Sequence, residues 1–318
     1  MNTSDVITAY LAARRAQGVQ FSSGARTLRR FARETGDLPL HEVTQQAVIS
    51  FLRGHGALSA TWTTKFRLLA GFYRFALTRG YVTETPLPEI KPKLPPQQTP
   101  YVYSLDELQR LLDSTAVVRS PLSPLQAMTY RTLLLILYGA GLRISEAIRL
   151  TVADVNIAER ILTVRNTKFY KTRLVPIGPQ LAAKLAAYYE KRSALPMLKG
   201  QESAFLCTRT GYCLSYPEVI TRFQRIRSAA GIVCPPDESR PPRLHDLRHT
   251  AAVHRVLDWY RSGKDVQHLL PHLATYLGHA NIASTQRYLQ MTPELMQEAS
   301  RRFAAYAQHA GEEEVDHA

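Results

Sequence analysis

Apolar residues recur at intervals of three and four along residues 1–80, which is the period of an amphipathic α-helix. Polar or glycine-bearing turns interrupt this pattern three times, so it predicts four helices. We expect them at residues 4–17, 23–35, 41–53 and 59–80. In the second helix, Leu28 and Phe31 mark the core side and four arginines mark the solvent side. These arginines are Arg26, Arg29, Arg30 and Arg33.

Six prolines between residues 85 and 100 end the helical pattern. Proline lacks a backbone N–H and favours extended backbone, so this stretch predicts a semi-rigid linker. The linker divides the chain into a four-helix domain at residues 1–84 and a larger domain at residues 101–318.

The larger domain combines helical periods with one region of strand period. Ser104 and Glu107 form a capping box that begins a helix. Alternation at residues 161–165 and 173–177 predicts a β-hairpin whose tip is residues 166–172. Other helices are predicted at residues 122–138, 179–194 and 216–230. The expected fold is therefore mainly α with a small β-hairpin or sheet.

The charge balance indicates a polyanionic partner. The chain has 40 Lys and Arg against 26 Asp and Glu, a formal net charge of +14. Residues 1–95 carry 13 basic and 6 acidic side chains, an excess of +7, and residues 96–318 carry the other +7. Coulomb attraction and counterion release then favour nucleic acid as the partner of both domains.

Basic side chains on both domains are candidates for binding this polyanion. A single basic residue is most often part of a solvated surface, but as a group these residues fit a surface that follows a phosphate backbone. The candidates are Arg29, Arg30, Lys65, Arg67, Lys171 and Arg243.

Three short motifs between residues 243 and 288 supply the side chains that phosphoryl transfer needs. They contain His245 with Arg248, then His279, then Tyr288. Guanidinium matches a phosphate, imidazole moves protons near neutral pH, and phenol is an oxygen nucleophile. His245 and Arg248 are three residues apart, so on a helix they share one face. Together the motifs predict phosphoryl transfer on nucleic acid.

Individually, these residues have simpler explanations. Arg143 begins the helix after Gly141, where it is either an anion ligand or a surface arginine paired with Glu146. A lone tyrosine such as Tyr288 is more often a core residue than a nucleophile.

The cysteines favour neither a disulfide framework nor a metal site. Cys207, Cys213 and Cys234 include no C-x-x-C pair. A zinc site would combine Cys234 with His245, His249 and His254. Because the fixed cation of Arg248 disfavours a second cation beside it, we expect no metal at this position.

The larger domain carries five motifs in a defined order and spacing. They are Gly141-Leu142-Arg143-Ile144-Ser145-Glu146, Lys168 ahead of Arg173-Leu174-Val175-Pro176-Ile177, His245-Asp246-Leu247-Arg248-His249-Thr250, Leu277-Gly278-His279 and Thr285-Gln286-Arg287-Tyr288. These motifs resemble those of the tyrosine recombinases, also called the phage integrase family. The resemblance covers the whole larger domain. It implies that this domain is an α+β catalytic domain. The preceding helices resemble the core-type DNA-binding domain of the same family.

The resemblance implies a site-specific DNA recombinase whose reaction needs no metal, no ATP and no other cofactor. In such an enzyme Tyr288 would attack the scissile phosphorus, giving a 3′-phosphotyrosyl link and a free 5′-hydroxyl. Arg143 and Arg248 would hold the non-bridging oxygens and stabilise the charge of the transition state.

The remaining implied roles concern proton transfer and hydrogen bonding. His245 would exchange a proton with the tyrosine, and His279 would donate a hydrogen bond to the phosphate. Lys168 would protonate the leaving 5′-oxygen, with Lys171 as the alternative for this role.

The resemblance also implies partners and a place of action. The DNA would be a double-stranded recombination site, bound by a homotetramer that is a monomer when free, with accessory proteins that set direction. The sequence contains no apolar run long enough for a membrane span and no leader pattern, so we expect a cytoplasmic protein. Action on DNA implies that this protein is associated with the nucleoid when it is active.

Two other functions remain open at this stage. A catalytically silent DNA-binding regulator could keep the same fold, although all six catalytic residue types are present. A type IB topoisomerase or a hairpin telomere resolvase would share the catalytic residues but not the two-domain layout.

Overall fold

A computed structural model describes residues 1–18, 21–95, 99–165, 172–234 and 240–278, together with residue 297. Contacts between Cα atoms divide the chain into two compact units, Met1–Gln98 and Thr99–Ala318. Each unit has its own buried apolar core.

Within its described residues, the first unit consists of four α-helices around one core. They are α1 (Thr3–Ala16), α2 (Ser22–Glu34), α3 (Gln45–Arg53) and α4 (Ala60–Thr78). Leu28 and Phe31 are fully buried and the four arginines of α2 are exposed, as the periodicity predicts. The predicted start of the third helix is wrong, because Leu40–Glu42 forms a separate 3-10 turn and the Thr44 side chain caps α3.

Much of the predicted linker packs on the first unit. Leu87 and Leu94 lie against its core, and the Lys91 ammonium is 4.9 Å from the centre of the Phe66 ring. Apolar and cation–π contacts therefore hold residues that proline composition alone describes as a spacer.

Within its described residues, the second unit contains seven α-helices. Its helices are α5 (Leu105–Asp113), α6 (Gln126–Gly139), α7 (Ile144–Ala147), α8 (Pro179–Ser193), α9 (Tyr216–Ala229), α10 (Asp246–Arg261) and α11 (Val266–Leu277). The predicted capping box at Ser104 and Glu107 is confirmed. The helix expected from residue 122 begins only at Gln126, because Ser120 and Ser123 form a turn before it.

The predicted hairpin strands are confirmed, with one addition. Among the described residues β1 (Val155–Asn156), β2 (Ile161–Val164) and β3 (Arg173–Pro176) form an antiparallel sheet in the order β1-β2-β3. Val164 pairs with Arg173 at the end of the sheet nearest the hairpin tip. The short strand β1 was not predicted, since two residues carry too little alternation to detect.

Candidate active site

A turn at Gly141 places Arg143 in the candidate site. Gly141 has φ +61°, a backbone conformation that favours glycine, and a Cβ there would lie 2.7 Å from Leu277 Cδ2 and displace that side chain. Arg143 follows as the N-cap of α7, as predicted, and 36% of its side chain is exposed. Its guanidinium donates to Glu146 Oε1 at 2.7 Å and to the Gly278 carbonyl oxygen at 3.0 Å.

Arg248 joins the same region from the first turn of α10. Its side chain is almost fully buried, at 1% exposure for the residue. The guanidinium donates to the Gly141 carbonyl oxygen at 2.6 Å and to the carbonyl oxygen of Leu277. Arg248 thereby ties the glycine turn and the end of α11 to the start of α10.

The carboxylate of Glu146 lies close to the guanidinium groups of three arginines. Arg173 donates to both of its carboxylate oxygens, at 3.0 and 2.8 Å, and Arg143 donates from its guanidinium and from its backbone N–H. Arg248 Nη1 lies 3.9 Å from Glu146 Oε2. Burial alone would raise the pKa of Glu146, but the hydrogen bonds from Arg173 and Arg143 outweigh burial and lower the pKa to about 2.

His245 lies beside these cations as the N-cap residue of α10. Burial lowers the pKa of its imidazole, and the nearby charge of Arg248 lowers it further. Arg243 and Arg143 act in the same direction, whereas Asp246 opposes them. The imidazole is therefore held in its neutral form near pH 7, which is the form that can accept a proton.

A buried tyrosine anchors the start of α10. The Tyr103 hydroxyl donates to the Arg243 carbonyl oxygen at 3.0 Å, and the Tyr103 backbone N–H donates to Thr250 Oγ1 at 3.0 Å. Arg243 also pairs with the buried Asp246 carboxylate. These contacts fix the turn that carries His245.

The structure brings together three of the six predicted catalytic residues. Arg143, His245 and Arg248 converge, although Arg143 is more than a hundred positions away from the other two. The other three, Lys168, His279 and Tyr288, lie outside the described residues, as does Lys171. Arg173 was part of a recognised motif but received no role, since its contacts with Glu146 become visible only in the folded chain.

The predicted DNA contacts have different surroundings. Arg29, Arg30 and Arg67 are exposed, and Arg30 pairs with Glu34. Arg243 is exposed by about half of its side chain and pairs with Asp246. These four remain predictions.

Lys65 does not support the predicted contact with DNA. The residue is 6% exposed, and its ammonium donates to the Phe51 carbonyl oxygen at 2.6 Å. Burial lowers the pKa of this lysine, with the Arg30 charge acting in the same direction. Its side chain bridges α3 and α4 inside the first unit, so it is turned away from any phosphate outside.

The described residues contain neither a candidate metal site nor a candidate membrane span. Cys234, His245, His249 and His254 are all described, and neither they nor other described His, Cys, Asp or Glu residues form a group of three that could hold a metal ion. No described helix is both long and apolar enough to cross a membrane.

Sequence comparison places the chain among recombinases. Residues 103–294 match the pattern of the Phage integrase family. The chain is 34% identical to an integrase/recombinase of Sinorhizobium fredii, y4rB, over 92% of this chain and 94% of that protein. It is 29% identical to the tyrosine recombinase XerA of Thermococcus kodakarensis, over 86% of each protein.

Solved structures share the fold. The Tn1549 transposon integrase, in complex with transposon right end DNA, covers 94% of this chain with a TM-score of 0.67 and 19% identity, over 99% of its own chain. A lambda integrase tetramer bound to a Holliday junction covers 91% of this chain with a TM-score of 0.66 and 16% identity, over 77% of its own chain. The match to the family pattern spans more than half of the sequence, and the chain belongs to the phage integrase family, the tyrosine recombinases.

Proposed function

We propose that the chain cleaves and rejoins DNA at a specific site, with Arg143 and Arg248 holding the scissile phosphate and Tyr288 attacking it. The observation that carries this proposal is the convergence of both arginines on Glu146, with His245 next to them. Guanidinium groups that hydrogen bonds hold close to one another are placed to stabilise together the charge that develops on a phosphate.

The proposed reaction is a transesterification. The Tyr288 oxygen forms a bond to phosphorus while the bond from phosphorus to the 5′-oxygen breaks, which leaves a 3′-phosphotyrosyl link. His245 accepts the phenolic proton, Lys168 or Lys171 donates a proton to the leaving 5′-oxygen, and His279 donates a hydrogen bond to the phosphate. A 5′-hydroxyl of another strand reverses the step, so the energy of the phosphodiester bond is retained.

The burial of Arg248 makes a conformational step part of this proposal. At 1% exposure, Arg248 cannot reach a DNA phosphate until the groups that cover it move. Arg143, with 36% of its side chain exposed, can be reached in the present conformation. We therefore propose that Arg143 contacts the phosphate first and that Arg248 engages after a local rearrangement.

The first unit supplies a second surface for DNA in this proposal. A groove of about 440 Å³ lies there, and its lining includes Arg14, Arg67 and Arg74. Three cationic side chains in one groove suit contact with the negatively charged phosphate backbone, which carries no sequence information of its own. We assign residues 1–84 to DNA binding and residues 101–318 to catalysis.

The assembly and place of action are also proposals. The neighbouring structure of a lambda integrase tetramer on a Holliday junction supports a homotetramer that forms on two DNA sites. A free monomer, accessory proteins that set direction, and action at the nucleoid in the cytoplasm complete this proposal. Transposition is one role compatible with the likeness to the Tn1549 integrase.

A covalent-trapping experiment tests the proposed chemistry. A binding site is first recovered by selecting bound duplexes from a random-sequence DNA pool, and a nick is then placed along it in successive positions. A nick near the cleavage point lets the short 5′-hydroxyl fragment diffuse away, so the phosphotyrosyl enzyme accumulates. We expect an adduct that survives denaturation with wild-type protein and none with Tyr288→Phe, which still binds the site.

The other outcomes distinguish the remaining functions. A bound site without an adduct at any nick position would support a catalytically silent regulator instead. Relaxation of supercoiled plasmid without strand exchange between two sites would support a topoisomerase.

A further inference from the structure

We propose that Arg173 is a positioning residue for strand transfer: it holds Glu146 and the Gly278 turn in the arrangement that aims Arg143 at the scissile phosphate. This inference rests on the proposed function of Arg143. Arg173 is the first residue of β3 and lies beyond the part of the hairpin that carries the candidate general acids.

The contacts of Arg173 join three separate segments. Its Nη1 and Nη2 donate to the two oxygens of Glu146, at 3.0 and 2.8 Å, in a bidentate pair. Its Nε donates to the Tyr276 carbonyl oxygen at 3.3 Å. One side chain with 13% exposure thus connects the sheet, the helix after the glycine turn and the last turn of α11.

Arg173 also packs closely against Gly278. Gly278 ends α11 with φ +67°, and a Cβ on it would lie 2.8 to 3.1 Å from three atoms of the Arg173 guanidinium. The Gly278 carbonyl oxygen accepts from Arg143 Nη2 at 3.0 Å. Arg173 therefore packs against Gly278, and the carbonyl oxygen of Gly278 in turn holds the guanidinium of Arg143.

Electrostatics gives Arg173 a second effect on Arg143. The cluster contains three arginines and one glutamate, a formal charge of +2 that falls to +1 when Arg173 becomes neutral. Glu146 would then be compensated mainly by Arg143, whose guanidinium is already 2.7 Å away. A stronger pull toward Glu146 opposes the movement of Arg143 to a phosphate.

A purely structural ion pair would behave differently from a positioning residue. Loss of a structural ion pair lowers the free energy of unfolding. Less of the protein is then folded, so DNA binding and DNA cleavage fall by the same factor. Loss of a positioning residue leaves the folded protein able to bind DNA but slows the chemical step. A displacement of about 1 Å at a reacting group can cost about 100-fold in rate.

The variants Arg173→Gln and Arg173→Lys separate these cases, with Arg110→Gln as the matched control. Arg110 also bridges a carboxylate, of Asp106, and a backbone carbonyl, of Ala230, but it lies in α5 away from the catalytic arginines. For each variant we would measure thermal unfolding, DNA binding by fluorescence anisotropy and single-turnover cleavage of the nicked site at saturating protein.

We expect Arg173→Gln to bind DNA within about twofold of wild type and to cleave it about 100-fold more slowly. Arg173→Lys keeps the charge but not the bidentate geometry, so its cleavage rate should lie between those of Arg173→Gln and wild type. Arg110→Gln should cleave at the wild-type rate. Equal cleavage by Arg173→Gln and Arg110→Gln, or parallel losses of binding and cleavage in Arg173→Gln, would overturn the proposal.

A measurement on the free protein tests the inference independently of catalysis. In ¹H–¹⁵N spectra of the arginine side chains, the Arg143 Nε–H signal should shift or broaden in Arg173→Gln and stay in place in Arg110→Gln. An unchanged Arg143 signal in Arg173→Gln would contradict the positioning role. Failure of wild-type protein to form an adduct would instead count against the proposed function, while these spectra still decide the role of Arg173.

Discussion

Replacing Glu146 by glutamine should destabilise the second unit in a pH-dependent manner. The carboxylate has only 9% of its side chain exposed and pairs with Arg143 and Arg173. Its neighbours lower its pKa from 4.5 to about 2. At 1.36 kcal/mol for each pKa unit, this difference corresponds to about 3 kcal/mol of stability. Removing one partner of a buried ion pair costs a similar ~3–5 kcal/mol.

The sign of the pH dependence follows from the direction of this shift. A carboxyl group whose pKa is lower in the folded state stabilises the protein above its unfolded-state pKa. The contribution of Glu146 is therefore complete above about pH 5 and disappears as the pH falls from 4.5 toward about 2. The stability difference between wild type and Glu146→Gln should narrow over the same interval.

Tryptophan fluorescence allows the second unit to be followed alone. Trp62 belongs to the core of the first unit, whereas Trp259 packs in the second unit beside α11. In a Trp62→Phe background, urea unfolding of the second unit is monitored through Trp259 at pH 7 and at pH 3.5. The exposed Glu190 in α8 supplies the control variant Glu190→Gln.

We expect Glu146→Gln to lose about 3 kcal/mol at pH 7 and less at pH 3.5, and Glu190→Gln to lose less than about 0.5 kcal/mol. A loss below about 1 kcal/mol for Glu146→Gln at pH 7 would refute the reasoning. The same is true of a loss that is equal at the two pH values, because it would then not arise from the ionised carboxylate.

Two other residue environments lead to further predictions. Lys65→Met should change the stability of the first unit while leaving the salt dependence of DNA binding unaltered, because the ammonium is bonded to the Phe51 carbonyl oxygen. Arg67→Gln should reduce the slope of log affinity against log salt by about one, as measured by anisotropy titrations, and equal slopes for both variants would contradict this distinction. The lowered pKa of His245 predicts that single-turnover cleavage persists to a pH below 6.5 before protonation of its imidazole stops it. An acid limb at or above pH 6.5 that disappears in His245→Gln would show that the site does not depress this pKa.

Local chemistry explains why much of the fold could be predicted. The helices of the first unit follow from apolar spacing that repeats within a few residues, and the capping box at Ser104 and Glu107 involves neighbours three positions apart. The strands of the hairpin follow from alternation in the same local way. The order of the motifs also indicated the family before any contact was known.

Long-range packing decided the features that the sequence did not reveal. The helical period does not show whether the Lys65 side chain faces solvent or the core. It is buried only because α3 packs against α4 and the Phe51 carbonyl oxygen accepts its hydrogen bond. Proline content alone predicts a linker at residues 85–100, whereas in the folded chain Leu87 and Leu94 pack against the apolar core of the first unit.

The sequence by itself determined which reactive groups the chain contains and on which helix or strand Arg143, His245 and Arg248 lie. Tertiary structure decided that Arg143, Arg173 and Arg248 meet at one carboxylate. The physical reason is that secondary structure depends on interactions over three or four residues, whereas this cluster depends on turns and packing that bring together residues 27 and 102 positions from Glu146. Glu146 is their common partner because burial makes an uncompensated charge costly, and the guanidinium groups around it offset that cost.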